Sequence, residues 1–291
     1  MILLPVFALS GFGLLIGSFL NVVIFRIPAG HSVVFPPSAC GACAAPIRPW
    51  DNIPVFSWLW LRGRCHDCMA KISVRYPLVE LGTAVFFGVV TAWVQSALSS
   101  RSPTFALFGE LVSPVGVVDP QVAAGVVLTL LAFLYLASVS VALALIDLET
   151  RTLPDRIVLP SYPVAASLLT ASALLAGDFG RVPSALIGGV ALFGLYLVMA
   201  LLFPGGMGHG DVKLAGVLGL YLGWLGWGAL AVGAFSAFLL GGLFSLVLLL
   251  THRANRKSGI PFGPWMLAGA WLGIFGGEAI ALGYLSLFGL A

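Results

Sequence analysis

Long apolar runs separated by short polar breaks set the pattern of this chain. The first run covers residues 2–25 and ends at Arg26 and Pro28. At ~1.5 Å per residue it would be about 36 Å long as a helix, enough to cross a hydrocarbon core of ~30 Å with some tilt. It lacks a basic leading segment, so it is expected to anchor the chain rather than to be a cleavable signal. Seven more runs follow, over residues 78–98, 122–146, 157–176, 184–203, 212–226, 227–251 and 265–290. The pattern predicts an all-α polytopic membrane protein with about eight transmembrane helices. Within the first run, Gly17 and Ser18 would let a second helix approach, and Asn21 needs a hydrogen-bonding partner there. Pro160 and Pro163 should kink the fourth helix or delay its start.

The one sizeable polar stretch, residues 28–76, carries six prolines, five basic residues (Arg48, Arg62, Arg64, Lys71, Arg75) and all four cysteines. The predicted organisation is therefore a first helix (1–25), a cysteine-rich insert (26–77) and a seven-helix membrane core (78–291). An insert of this size cannot bury much of a core and needs a staple. Cys40 and Cys43, then Cys65 and Cys68, form two CxxC pairs at near zinc-ribbon spacing, which predicts a small zinc-ribbon-like fold. Four thiolates suit tetrahedral Zn2+, a structural site with no open position. A redox pair and free thiols are the less favoured alternatives. His66 and Asp67 are read as turn residues rather than ligands.

Composition sharpens this picture. Of 291 residues 60% are hydrophobic and 9% charged, against roughly 25% charged in soluble domains, so a soluble fold is excluded. The mean hydropathy is +1.07. The net charge of +3 is spread out, with no nucleic-acid footprint. With Arg26 on the cytoplasmic side and eight alternating spans, 12 basic residues face the cytoplasm and only Arg101 and Arg181 face outward. That asymmetry fixes the expected orientation. It puts the cysteine insert on the cytoplasmic face, where a reducing compartment favours metal thiolates over disulfides.

The same topology brings two acids to that face. Asp147 closes the third apolar run. Asp211 follows the glycine-rich stretch Gly205, Gly206, Gly208, Gly210 and opens the sixth. A carboxylate between apolar segments costs about 2.5–3.5 kcal/mol at a helix centre, so function is the default expectation. Two acids sharing a low-dielectric site do not both ionise easily, which is the condition aspartic proteolysis uses. Seen from their own helices, Asp147 lies at a C-terminus and Asp211 at an N-terminus. The dipoles would then make Asp147 the proton-bearing partner and Asp211 the anion. Asp155 is expected to cap the fourth helix, Lys213 to pair with an acid or anchor at the interface, and His209 to stand by. Glu278 is expected to be structural. Gly216, Gly219 and Gly223 form a small-residue face suited to helix packing.

Several of these stretches together resemble the bacterial prepilin peptidases, or type IV leader peptidases, a family of GxGD aspartic proteases. They are GSFLNVVIFRIP from Gly17 to Pro28, the paired CxxC motifs, RYPLVE from Arg75 to Glu80, Asp147 with Leu153-Pro154-Asp155, GHGDVK from Gly208 to Lys213, and IPFGP from Ile260 to Pro264. The resemblance covers nearly the whole chain in order. It implies a catalytic dyad of Asp147 and Asp211 that removes leaders from type IV prepilins and pseudopilins at the cytoplasmic face of the bacterial inner membrane. It also implies N-methylation of the new N-terminus, with S-adenosylmethionine as donor, in members that carry the cysteine insert. No S-adenosylmethionine signature is legible in the sequence. The alternative is an ion-coupled secondary transporter relaying protons through the two acids, which should show internal repeats and midplane acids.

Overall fold

The computed structural model describes residues 3–99, 119–203, 207–251 and 261–289. Nine α-helices form among them: α1 (Leu3–Arg26), α2 (Phe56–Trp60), α3 (Arg75–Ser99), α4 (Pro120–Thr150), α5 (Asp155–Leu175), α6 (Arg181–Leu202), α7 (His209–Leu225), α8 (Trp227–Leu250) and α9 (Gly263–Ser286). Seven of them, all but α2 and α7, are long and apolar enough to cross a membrane. The eighth apolar run is α7. Its 17 residues make a helix about 25 Å long, and nearly every residue from Val212 to Leu225 is buried within the protein. The chain is an all-α polytopic membrane protein with a small cysteine-bearing insert.

The chain divides into two compact units, one of residues 1–95 and 134–142, the other of residues 96–133 and 143–291. In the first unit α1 and α3 pack backbone to backbone. A Cβ placed on Gly17 would lie 2.6 Å from the Glu80 Cα, and one on Gly13 would lie 2.8 Å from the Ala84 Cα. Asn21 finds the interhelical partner it needs, donating to the Tyr76 carbonyl at 3.1 Å.

The insert has almost no regular structure beyond α2 and a 3-10 turn at Pro49–Asn52. Its two CxxC pairs sit in matching knuckles. Cys40 N–H donates to Ala45 O at 2.9 Å and Cys65 N–H to Ala70 O at 2.8 Å, and Ala44 and Met69 take left-handed backbone at the equivalent position of each. The isolated bridges Ala39–Pro46 and Arg64–Lys71 close the two turns.

In the second unit α7 is the hub. Its face of Gly216, Gly219 and Gly223 is packed against Gly188 and Gly189 of α6, where a Cβ on Gly188 would lie 2.6 Å from the Gly219 carbonyl. Ser184 Oγ donates to Gly223 O at 2.8 Å across the same seam. On other faces Tyr221 reaches Ala132 O at 3.0 Å and Trp224 reaches Leu169 O at 3.2 Å, with Phe133 edge-on to both rings. α8 and α9 form a second small-residue pair, Gly273 and Gly277 lying against Ala229.

Two local expectations change. α5 begins at Asp155, ahead of Pro160 and Pro163, so neither proline delays it. Pro154, not Asp155, is its N-cap, because the Asp155 carboxylate is drawn to an ion pair with Lys213 instead.

Candidate active site

Asp147 sits in the last turn of α4. The helix stops at Thr150 because Arg151 turns left-handed (φ 54°) and donates its N–H to the Asp147 carbonyl at 2.8 Å. The side chain is 4% exposed, and its Oδ2 accepts the Gly263 N–H at 2.9 Å. Gly263 is the first residue of α9, and a Cβ there would meet Asp147 Oδ2 at 2.8 Å. Only a glycine leaves room for this carboxylate.

Asp211 is the third residue of α7 and closes a capping box on Gly208. Its Oδ2 accepts the Gly208 N–H at 3.0 Å, and its own N–H donates to the Gly208 carbonyl at 3.1 Å. Leu153, in the connector after α4, lies between the two acid-bearing ends. Its Cβ would be 2.8 Å from a side chain at Gly210, and its Cδ2 is 3.2 Å from where a Gly263 side chain would begin. The two carboxylates are thereby close enough to feel each other's charge. Buried Tyr196 of α6 also lies within the field of Asp211, its ring tilted against Phe238 and Phe262 at centroid distances of 5.2 and 6.3 Å.

Each acid is thus fixed through one oxygen by a glycine N–H at a helix N-terminus. The other oxygen of each carries no hydrogen bond among the described residues. The expected dipole asymmetry is not there. Asp147 ends α4, but it also lies at the start of α9, so both carboxylates meet the positive end of a helix. Two carboxylates that feel each other's charge can share a proton and activate a water.

Two contacts that support the site were not expected from the sequence, the Gly263 N–H to Asp147 and the packing of Leu153 beside both helix ends, while Lys213, expected to pair with an acid or to anchor at the interface, pairs with Asp155. Lys213 Nζ reaches both Asp155 oxygens, at 2.8 and 2.9 Å, and Tyr162 donates to the Lys213 carbonyl at 2.7 Å. These contacts tie the first turns of α5 and α7 together. Glycine followed by proline at the head of α9 was the available signal for the first. His209 is exposed, and Gly205, Gly206 and Ile260 lie outside the described residues.

The four cysteines come together in the first unit. All four Sγ atoms lie within 4.8 Å of one another, and Cys40 and Cys68 are 3.8 Å apart. A tetrahedron with Zn–S bonds of ~2.3 Å has edges of about 3.8 Å, so this donor set fits the metal. Backbone N–H groups of Cys43 and Ala42 pull the Cys40 thiol down to about 6. Cys68 also has an N–H at its sulfur, from Ala70, yet crowding by the other thiols, Cys43 first, pushes it up to about 12. Four thiols packed this closely are all thiolates only with a cation among them. Asp67 pairs instead with Arg48 at 2.9 Å, and His66 faces Asp51 at 4.0 Å, so neither belongs to the cluster.

Comparison with known proteins gives a consistent result. The model of the bacterial peptidase A24 N-terminal domain matches residues 12–94, and that of the type IV leader peptidase family matches residues 134–248. A prepilin leader peptidase/N-methyltransferase of Aeromonas hydrophila is 34% identical, covering 95% of this chain and 92% of its own length. Proteins of the same name from Pseudomonas aeruginosa and Neisseria gonorrhoeae are 32% and 36% identical, covering 95% and 89% of this chain. No solved structure matches. These matches give the transporter alternative no support.

Proposed function

Because this chain belongs to the type IV leader peptidase family, we propose that it is a membrane-embedded aspartic endopeptidase whose catalytic pair is Asp147 and Asp211. The observation that carries this is the pairing itself: two carboxylates on helix ends far apart in sequence, each held through one oxygen by a glycine N–H. One carboxylate takes a proton from water as it attacks the scissile carbonyl. Its protonated partner donates to the carbonyl oxygen, and no covalent intermediate forms. With each carboxylate receiving an N–H from a helix N-terminus, the pair works as a unit sharing one proton, and neither is assigned it in advance.

The substrates are type IV prepilins and pseudopilins, cut at the cytoplasmic face of the bacterial inner membrane. The new N-terminus is then N-methylated with S-adenosylmethionine as donor. The two-activity names of relatives that share the cysteine-bearing segment support this second step. Cys40, Cys43, Cys65 and Cys68 hold a structural Zn2+, which supplies folding energy and no chemistry. The protein's surroundings are lipid, with no nucleic-acid partner.

Purified protein incubated with a prepilin should release the leader peptide. Asp147→Asn and Asp211→Asn should each abolish release while remaining folded. Cleavage retained by both variants would sink the dyad.

A further inference from the structure

The short helix α2 of the insert is built inside out for a segment surrounded by water. Phe56, Leu59 and Trp60 share one face at i, i+3 and i+4 spacing, and all three are exposed, Trp60 by 88%. The polar residue of the helix faces inward. Ser57 is buried, donating to the Trp50 carbonyl at 2.8 Å and accepting the Ile53 N–H at 2.9 Å. Trp58 is turned in beside it, its Nε1 donating to Ile72 O at 3.2 Å. Trp50 and Ile53, just ahead of the helix, are exposed as well. Large apolar side chains concentrated in this way mark a surface that has a partner.

The depth of α2 identifies that partner. Its N-cap, Val55, donates its N–H to Glu80 Oε2 at 2.7 Å. Glu80 is the sixth residue of α3, about 7.5 Å along the helix from Arg75. Its Cα is the atom that a Cβ on Gly17 would meet at 2.6 Å, and Gly17 stands about 13 Å short of the end of α1. Both helices are long and apolar enough to cross a membrane, and near this level they already turn Phe19, Leu78 and Leu81 outward. A helical side chain leans toward its own N-terminus, so Glu80 reaches back toward the head of α3. It hangs α2 at the boundary between acyl chains and headgroups, beside residues that face lipid.

Charge points the same way. Arg62, Arg64 and Lys71 follow α2 in the chain, are exposed and form no ion pair among the described residues. The acids of that segment are turned elsewhere, Asp67 to Arg48 at 2.9 Å and Asp51 to His66 at 4.0 Å. An aromatic face followed by unpaired cations is the make-up of a helix that lies on an anionic bilayer surface.

We propose that α2 is an interfacial anchor, lying in the headgroup layer of the membrane that α1 and α3 span. Phe56, Leu59 and Trp60 enter the upper acyl region, and Arg62, Arg64 and Lys71 meet the phosphates of anionic phospholipids. Glu80 is the tether that sets the depth, through the Val55 N–H. The insert is then held to the bilayer at its middle as well as at its two ends. The anchor uses neither acid of the peptidase site, so it stands apart from the activity proposed above.

The test places p-benzoylphenylalanine at Trp60, and separately at Phe56, in the full-length protein. The labelled chains are reconstituted in vesicles of phosphatidylglycerol and phosphatidylcholine in equal parts, with prepilin present, and the photo-adduct is identified by mass spectrometry. An unchanged melting temperature qualifies a labelled chain, and each site backs the other. Phospholipid adducts are expected at both positions, with phosphatidylglycerol enriched about fivefold or more. Arg62→Gln, Arg64→Gln and Lys71→Gln combined in one chain should bring the enrichment down to about parity while the lipid adduct persists. An adduct to prepilin, to a second copy of this chain, or to no membrane component overturns the anchor. Lipid adducts with no preference for phosphatidylglycerol overturn the part assigned to the three cations.

Discussion

The cysteine knuckles and the aspartate site gather reactive side chains in opposite ways. With the proposed Zn2+ bound, the gathered atoms of the insert are themselves the staple. Two short turns converge with little core behind them, Cys43 and Cys68 are exposed, and the four sulfurs lie as close as a shared cation requires. At the aspartates the scaffold comes first. Glycine-lined helix seams and buried rings set the ends of α4, α7 and α9, and the acids are carried to their places by those ends. The reactive groups hold the fold in one region and are held by it in the other. A side chain that builds its surroundings cannot be removed quietly, whereas one that is merely carried can.

Substitution should therefore separate the regions cleanly. The largest effect on chemistry is expected at the acids. Asp147→Asn or Asp211→Asn should cut prepilin cleavage by about 10^3-fold or more, while the melting temperature in detergent stays level or rises. A large drop in melting temperature would show the acids to be structural and would erase the contrast. Next comes Cys40→Ser. Structural zinc is worth about 10–16 kcal/mol in isolated finger peptides, so a lost ligand should leave well under one zinc per chain and an insert open to protease. Full metal content by elemental analysis would reject the four-thiolate site.

Gly219→Leu should be the mirror experiment, since it strikes the scaffold and leaves both acids intact. Overpacking of this kind costs about 1–3 kcal/mol or more. The expected readout is a lower melting temperature with zinc content unchanged. The smallest effect belongs to Asp155→Asn. Its ion pair with Lys213 has side chains 53% and 35% exposed, so about 0.2–1 kcal/mol is at stake. A modest rise in KM with a near-normal melting temperature would mark the pair as an orienting contact for the α7 turn.

What the sequence made legible followed chemistry and hydropathy. Eight apolar runs, two paired cysteine motifs and two acids at the ends of runs can all be read along one dimension. Even Asn21 advertised its need for a partner, and Tyr76 meets it. What stayed hidden is the support around the acids. Gly263 serves Asp147 from 116 positions away, and Lys213 meets Asp155 from 58 away. Such contacts depend on which helix ends meet, and no local pattern states that. The dipole argument for Asp147 missed for the same reason, because the second helix start at its side chain belongs to α9. Hydropathy also reads a helix facing lipid and a helix facing protein alike, so the burial of α7 among other helices was not legible.

That enclosure of α7 bears on how the molecule is made. A 17-residue helix rich in glycine, buried among other helices, offers an insertion machine a short signal. Its entry into the bilayer depends on companions: α6 before it and α8 after it, both strongly apolar, flank it within one stretch of nascent chain. Asp211 rides at the head of α7. The position of that carboxylate therefore depends on how closely α7 packs against α6 and α8.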